Sequence, residues 1–213
     1  MCANYRPSTR DAIHADLGLP APAFDYAPEA FPGSNAPLLV QTADDAQASW
    51  REAMFGLVPF WSKDTRISRQ TYNARSETVA EKPSYRGPWR QRQFALVPMA
   101  CFYEPCYESG KTVRWAIRRD DDQTFTAAAI WDSWRDADGA RLFSFSMLTV
   151  NADGHPLMQR FHKPGDEKRS LVIVDAGNRA DWLRADEATA RELMLAPLSA
   201  DFGADADPMA RRT

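Results

Sequence analysis

The sequence predicts an α+β domain organised around a curved, barrel-like, mainly antiparallel β-sheet with short helices at its flanks. The first ground is period-two alternation. Over 112–118, Val113, Trp115 and Ile117 alternate with Thr112, Arg114, Ala116 and Arg118, and Phe143, Phe145 and Met147 alternate with Ser144 and Ser146, the pattern of half-buried strands. The second is tight-turn punctuation: Glu108-Ser109-Gly110-Lys111, Asp120-Asp121-Asp122 and Asp138-Gly139 set those strands apart from apolar stretches at 94–98, 100–107 and 125–134. Consecutive short strands joined by tight turns fold into an antiparallel sheet. The third is size. A chain of 213 residues, 44% hydrophobic and 26% charged, with seven Trp and eleven Phe, closes one core without disulfide staples. One domain is expected over 1–198, followed by an Ala- and Asp-rich tail, 199–213, that frays.

The remaining elements follow in chain order. Ser8 with Asp11 three residues on, apolar Ile13 and Leu17, and Gly18 beyond predict a short capped helix over 9–17. Pro20, Pro22, Pro28, Pro32 and Pro37 keep the stretch up to Leu38 as a loop wrapped over the surface. Strands are expected at 38–41 and 52–58. Between Pro83 and Arg92 a short helix would carry Tyr85 and Trp89, four residues apart, on one side and arginines, among them Arg86 and Arg90, on the other. Short helices follow near 155–161, 178–184 and 187–195, with a strand at 171–174.

Several classes are excluded. The longest apolar runs, 38–40 and 127–131, fall far short of the roughly 20 residues that span a bilayer. Met1-Cys2-Ala3-Asn4-Tyr5-Arg6-Pro7 has no basic stretch followed by an apolar one, so a cytoplasmic protein is expected. Cys2, Cys101 and Cys106 are odd in number and lack C-x-x-C spacing, which speaks against a disulfide framework. A net charge of −3 argues against coating nucleic acid by bulk charge. Distribution modifies that conclusion. Between Trp61 and Arg92, eight cationic side chains face three anionic ones, a local +5 against −8 elsewhere. With Trp61, Tyr72, Tyr85 and Trp89 interspersed, the segment combines phosphate binding with base stacking, as single-strand binding needs; the alternative is a solvated face with a few core aromatics.

Four places could carry chemistry. Loss of Met1 would leave Cys2 with an α-amine beside its thiol; an α-amine, of pKa about 7.7–8.0, is partly neutral near pH 7 and condenses with an aldehyde. The thiol can then close a five-membered thiazolidine. Position 2 lies outside any core pattern, and an incidental or buried cysteine is the alternative. Glu104, between aromatics in Cys101-Phe102-Tyr103-Glu104-Pro105, would have its proton affinity raised by apolar surroundings and suit acid and base work, unless it simply faces solvent. His155 and His162 are seven residues apart on the expected helix. With Cys101 and Cys106 they invite a zinc reading, which the absence of ligand spacing disfavours; a histidine ending a helix can equally be a cap. In Thr71-Tyr72-Asn73-Ala74-Arg75-Ser76-Glu77-Thr78, Asn73 could orient a reacting group and Arg75 could fork onto a phosphate, or the Asn could bond its own backbone.

Taken together, these pieces resemble the SOS-response-associated peptidase (SRAP) family. Cys2 stands second, as in that family. Phe55-Gly56-Leu57-Val58-Pro59-Phe60-Trp61-Ser62-Lys63-Asp64 resembles W-G-L-I-P-x-W-x-K-D, Asn73 to Thr78 resembles N-A-R-x-E-T, Pro98 to Glu104 resembles P-A-x-x-F-Y-E, and the stretch ending at His162 resembles the family's histidine helix. Five blocks in order are specific where each alone is weak. The chain departs in having Phe55 for Trp, Cys2-Ala3-Asn4 for C-G-R with Arg6 as its first arginine, and an insertion over 163–169 where many members run directly into D-R-M-P; the insertion is expected at the rim of the site.

The resemblance implies a protein that senses abasic sites in single-stranded DNA and traps them as a covalent thiazolidine on Cys2 after removal of Met1, with no metal or organic cofactor. It implies that Glu104 assists sugar ring opening and proton transfer, that His162 protonates the departing sugar oxygen and takes part in reversal, and that Asn73 orients the amine. Arg75 would hold a flanking phosphate, while Trp61 and the basic segment with Arg86 and Arg90 would support the strand. It also implies lyase-like activity, peptidase-like self-processing that exposes Cys2, a monomer, and association with the nucleoid when bound to DNA. Two other readings of the same residues stay open: a noncatalytic single-strand binding module, and a cysteine peptidase with Cys2 as nucleophile and His162 as base.

Overall fold

The structure is a computed structural model that describes residues 2–42, 45–195, 198 and 201–209. Five strands close into a barrel: β2 (Asn35–Val40), β3 (Ser49–Phe55), β5 (Phe94–Cys106), β7 (Phe125–Arg135) and β8 (Arg141–Asn151), in the ring order β7-β8-β3-β2-β5 and back to β7. Every pair in the ring is antiparallel except β3 with β8. The interior follows the strand alternation. Leu38, Val40, Ala53, Phe55, Ala95, Val97, Ala127, Ala129, Phe145 and Met147 point inward as one buried cluster. Small alanines on β5 and β7 leave room for Phe55 and Phe145, whose rings stack at 5.4 Å.

The opposite faces of the same strands form a second layer. Phe94, Leu96, Ala128 and Ile130 pack against Trp89 of α2 (Arg86–Arg90), Trp182 and Leu183 of α3 (Arg179–Arg184) and Ala190 and Met194 of α4 (Glu187–Met194). Both indoles are fully buried and both N–H groups are used: Trp182 donates to the Ala95 carbonyl at 2.9 Å and Trp89 to Glu187 at 2.8 Å. The arginine face of α2, with Arg86 and Arg90, stays exposed.

Short strands extend the barrel. β1 (Tyr5–Pro7) lies antiparallel on β5, β4 (Asn73–Arg75) parallel on β8, β6 (Val113–Arg119) on the far half of β5, β9 (Arg169–Leu171) on β8 and β10 (Ile173–Val174) on β7. The expected α+β class and barrel-like sheet are what the fold shows.

Several elements differ from expectation. The stretches 94–98 and 100–107 are a single 13-residue strand, β5, whose first half pairs with β7 and whose second half pairs with β6. The helix near 155–161 is a single 3-10 turn, Met158–Arg160. The ring Nδ1 of His155 accepts from the backbone N–H groups of Leu157 and Met158, so His155 caps the turn and shares no helix face with His162. α1 (Arg10–Leu17) is capped by Thr9, whose hydroxyl accepts from the Ala12 N–H at 3.2 Å, and not by Ser8; such a cap contributes about 1 kcal/mol. The tail expected to fray from 199 instead forms β11 (Phe202–Ala206), antiparallel on β6, with Phe202 edge-on to Phe125 at 4.9 Å. Residues 199, 200 and 210–213 lie outside the described residues.

Candidate functional site

The site begins with how the N-terminal strand is held. Tyr5 pairs with Phe102 and Arg6 with Cys101, and the Tyr103 N–H donates to the Asn4 carbonyl at 3.0 Å. On the other side the Tyr5 and Ala30 backbones exchange two hydrogen bonds, and the Asn4 amide donates to the Ala30 carbonyl at 3.1 Å. Arg114 donates to Asn4 Oδ1 at 2.9 Å, pairs with Glu29, and stacks 3.9 Å over the Tyr103 ring. Arg6 is tied to the Tyr103 hydroxyl at 2.8 Å and to Asp207 at 3.5 Å. So fixed, the strand delivers Cys2 into the buried interior, 1% exposed, with its thiol donating to the Asn4 carbonyl at 3.3 Å. Cys2 is therefore a core residue, contrary to the expectation that position 2 lies outside the core.

Asn73, Glu104 and His162 arrive from three other elements. Asn73 sits on β4 opposite Met147, and its Nδ2 donates to the Cys2 carbonyl at 2.7 Å. The Tyr85 hydroxyl, at the head of α2, holds the Asn73 carbonyl at 3.0 Å, and burial pushes that phenol up to about 12. Glu104, opposite Trp115 on β5, is 3% exposed. His162 is 8% exposed, and its Nε2 lies 3.1 Å from Glu104 Oε2. The His162 N–H donates to the Pro105 carbonyl at 3.0 Å, and Phe161 bridges to Cys106, so the histidine is stitched to the same strand that carries Glu104.

The electrostatics of the group are those of a dry polar pocket. Burial, and after it the charge of Glu104, push the Cys2 thiol up to about 12, because neither favours a thiolate in that place. Asn73 Oδ1 and His162 Nδ1 are buried without a hydrogen-bond partner among the described residues. Buried polar atoms are usually paired, and these two are exceptions to that rule.

Two clefts open beside the pocket. One, of about 500 Å³, is lined by Tyr107, Arg160, His162, Gly165 and Lys168 among others, so residues of the 163–169 stretch share a cleft with His162. The other, of about 350 Å³, runs past Asn73, Arg75, Lys82 and Tyr85.

The basic segment divides in three dimensions. Trp61 is 48% exposed and its neighbour Phe60, which sequence reasoning passed over, 75%. The Trp134 indole N–H fixes their loop through the Ser62 carbonyl at 2.8 Å. Trp89 is core and is not available for stacking on a base, whereas Tyr72 is part-buried, edge-on to Phe55 at 5.9 Å. Arg75 is half exposed and paired with Glu167 at 2.9 Å. Arg86 and Arg90 line neither of the two clefts.

Arg169, also missed, has its guanidinium buried between Glu77 and Glu167 and donates to the Thr149 carbonyl at 2.7 Å. Glu77 belongs to a motif visible in the sequence, but its partner is 92 residues away, and no spacing rule connects them.

With this geometry in view, the chain belongs to the SOS response associated peptidase (SRAP) family, whose family model matches residues 1–206. It is similar to the abasic site processing protein YoqW of Bacillus subtilis (strain 168), 27% identical over 183 residues that cover 84% of this chain and 78% of that protein. It is also similar to the abasic site processing protein HMCES of Gallus gallus, 26% identical over 192 residues covering 76% of this chain and 55% of that one. Among solved structures, a crystal structure of a Bordetella bronchiseptica protein superposes with a TM-score of 0.87 at 27% identity, covering 98% of this chain and 100% of that chain. Among the described residues, no helix is long and apolar enough to cross a membrane.

Proposed function

We propose that this protein processes abasic sites in single-stranded DNA and becomes covalently attached to them through Cys2 once Met1 has been removed. The observation that carries the reading is the convergence on Cys2: a buried cysteine, its carbonyl held by Asn73, beside the buried Glu104–His162 pair. The relatives named as abasic site processing proteins support the same substrate.

The chemistry balances without a further reagent. Hydrolysis of the Met1–Cys2 amide, by an aminopeptidase or by the chain's own processing, frees the α-amine, whose lone pair was delocalised while it was part of a peptide bond. In the abasic deoxyribose, Glu104 takes the proton of the C1′ hydroxyl while His162 donates one to the ring oxygen as the C1′–O4′ bond breaks, giving an aldehyde and a 4′-hydroxyl. The Cys2 amine adds to C1′ and, with the proton that Glu104 took, the resulting hydroxyl leaves as water, giving an iminium. Its formation without closure would permit lyase-like strand cleavage. The thiol then adds to the same carbon and gives up its proton to Glu104 or His162, closing the thiazolidine. General acid and base groups in this position contribute roughly 10²–10⁴-fold. Asn73 fixes where Cys2 stands, and Arg75 takes a neighbouring phosphate in place of Glu167.

A thiol pushed up to about 12 is protonated at neutral pH. That favours attack by the amine first and disfavours a cysteine peptidase that must begin from a thiolate. The exposed Phe60 and Trp61 suit stacking on single-stranded bases, and they would serve noncovalent binding equally well.

Denaturing electrophoresis separates the readings. Protein whose intact mass shows loss of Met1 is mixed with a single-stranded oligonucleotide carrying one abasic site, then boiled. A shifted band is expected that is absent with a tetrahydrofuran analogue, which offers no aldehyde. Binding without a heat-stable band would leave the noncatalytic module, and a heat-stable adduct on molecules still carrying Met1 would overturn the aminothiol route.

A further inference from the structure

The 163–169 stretch places one ammonium where three successive backbone carbonyls converge. Lys168 Nζ donates to the Phe161 carbonyl at 2.9 Å, the Lys163 carbonyl at 3.2 Å and the His162 carbonyl at 3.4 Å. Three consecutive carbonyls can face one point only where the chain turns tightly. His162, at the centre of that turn, has φ of +63°, a left-handed conformation uncommon outside Gly, though His enters it more often than most residues, as Asn and Asp do. Carbonyl dipoles aimed at one another repel, and a cation among them removes the repulsion, as a basic side chain does at a helix C-terminus.

Lys168 is itself anchored. Its backbone N–H donates to Asp153 at 3.0 Å, and its carbonyl accepts from the Ala152 N–H at 2.8 Å. The backbone of His162 is thus held from both sides, by the Pro105 carbonyl on the sheet side and by Lys168 on the loop side. From that backbone the imidazole points toward Glu104, where Nε2 rests 3.1 Å from Oε2.

The geometry points to Lys168 as the positioning residue for His162: it touches no reacting atom and acts by locking the left-handed turn that aims the imidazole at Glu104. The inference rests on the reading that His162 moves protons in the adduct chemistry, but the turn itself can be tested apart from it. The Lys168 side chain is only part-buried, so replacing it with a residue of similar length leaves the barrel untouched.

The test is Lys168→Met, with Lys168→Gln as a second neutral variant and Lys168→Arg as the conservative one. Two readouts are followed on the whole protein. The first is the backbone carbon shifts and amide coupling of His162 in the free protein, which report its φ. The second is single-turnover adduct formation with an abasic oligonucleotide, split into a limiting rate and a half-saturating concentration. In Lys168→Met and Lys168→Gln the His162 shifts should leave the left-handed range. The limiting rate should fall roughly 10- to 100-fold, the scale of a misaimed reacting group, at nearly unchanged half-saturation, and Lys168→Arg should recover most of it. His162 shifts unchanged in both neutral variants would overturn the inference. So would a loss confined to half-saturation, which would make Lys168 a DNA contact. If the parent protein forms no adduct, the functional reading fails while the His162 shifts still decide the role of Lys168.

Discussion

The barrel interior and the pocket of Cys2, Asn73, Glu104 and His162 are about equally hidden from water, yet they are filled on opposite grounds. Inside the barrel, Leu38, Val97, Phe145 and Met147 sit against alanines chosen for fit. In the pocket, Asn73 Oδ1 and His162 Nδ1 are buried with no hydrogen-bond partner among the described residues, and a histidine is held in a left-handed turn. Each unpaired buried polar atom costs roughly 1–3 kcal/mol, and the left-handed turn adds a cost of its own. The barrel cluster also holds unpartnered atoms, the Tyr5 hydroxyl and the Trp131 indole N–H, but it sets them among apolar contacts where the pocket sets them beside titratable groups, so a substitution in one region should not behave like a substitution in the other.

The sharpest break of that comparison is at Cys2. Cys2→Ala should abolish the heat-stable adduct altogether while costing only about 1 kcal/mol in urea unfolding, since one buried sulfur is lost. Cys101→Ala and Cys106→Ala should still crosslink. Phe145→Ala should do the reverse, costing about 3–5 kcal/mol while the molecules that remain folded crosslink at the parent rate. An adduct that survives in Cys2→Ala and disappears in Cys101→Ala or Cys106→Ala would move the nucleophile elsewhere.

Glu104→Gln comes next. It keeps the shape and removes the charge, so adduct formation under single-turnover conditions should slow by about 10²-fold or more with little change in affinity for the tetrahydrofuran oligonucleotide. His162→Ala should perturb both formation and reversal. An unchanged rate in Glu104→Gln would return that residue to a structural part in the pocket.

The two regions also differ in how far they could be read beforehand. The barrel was legible because strand alternation is local: Phe143, Phe145 and Met147 announce an inward face without reference to any other part of the chain, and the structure places Phe145 and Met147 there. The site residues were legible as motif blocks, but not the contacts that make them a site. Asn73 reaches Cys2 across 71 residues, and no periodicity encodes that. His162 was expected to end a helix shared with His155; a single 3-10 turn capped by His155 stands there instead, and the chain leaves it at His162 in a left-handed conformation that no helical period encodes. The tail misled for a related reason. Its Ala and Asp composition is that of a solvated segment, yet one aromatic, Phe202, packed on Phe125 helps hold Phe202–Ala206 to the edge of β6.

A smaller effect tests how dry the pocket is. Burial raises the Cys2 thiol from an ordinary 9.0 to about 12, so between those values the unfolded chain releases a proton that the folded one keeps. Stability due to this group is complete below pH 9 and falls as pH rises toward 12. The unfolding free energy of the parent should therefore drop more steeply than that of Cys2→Ala above pH 9. Alkylation of Cys2 by iodoacetamide at pH 8 should also be slow. Rapid alkylation there would mean a solvated, ionisable thiol and would restore the cysteine-peptidase reading.

The smallest expected effect is at Trp61, best read against Trp89, a second tryptophan of the same basic segment in the opposite environment. Trp61 is half exposed beside Phe60, whereas Trp89 is fully buried, edge-on to Phe94 at 5.2 Å and hydrogen-bonded to Glu187. Trp61→Ala should leave the unfolding free energy within about 0.5 kcal/mol of the parent and weaken noncovalent binding of single-stranded DNA by about 1 kcal/mol, the low end for a base stacked on an aromatic ring. Trp89→Ala should instead cost about 3–5 kcal/mol of stability and leave the affinity of the folded fraction near the parent value. Fluorescence anisotropy with a labelled oligonucleotide, run beside urea unfolding, measures both quantities on each variant. If Trp61→Ala binds as tightly as the parent, the strand does not cross the Phe60–Trp61 loop, and its path must instead be sought along the cleft of Asn73, Arg75 and Lys82.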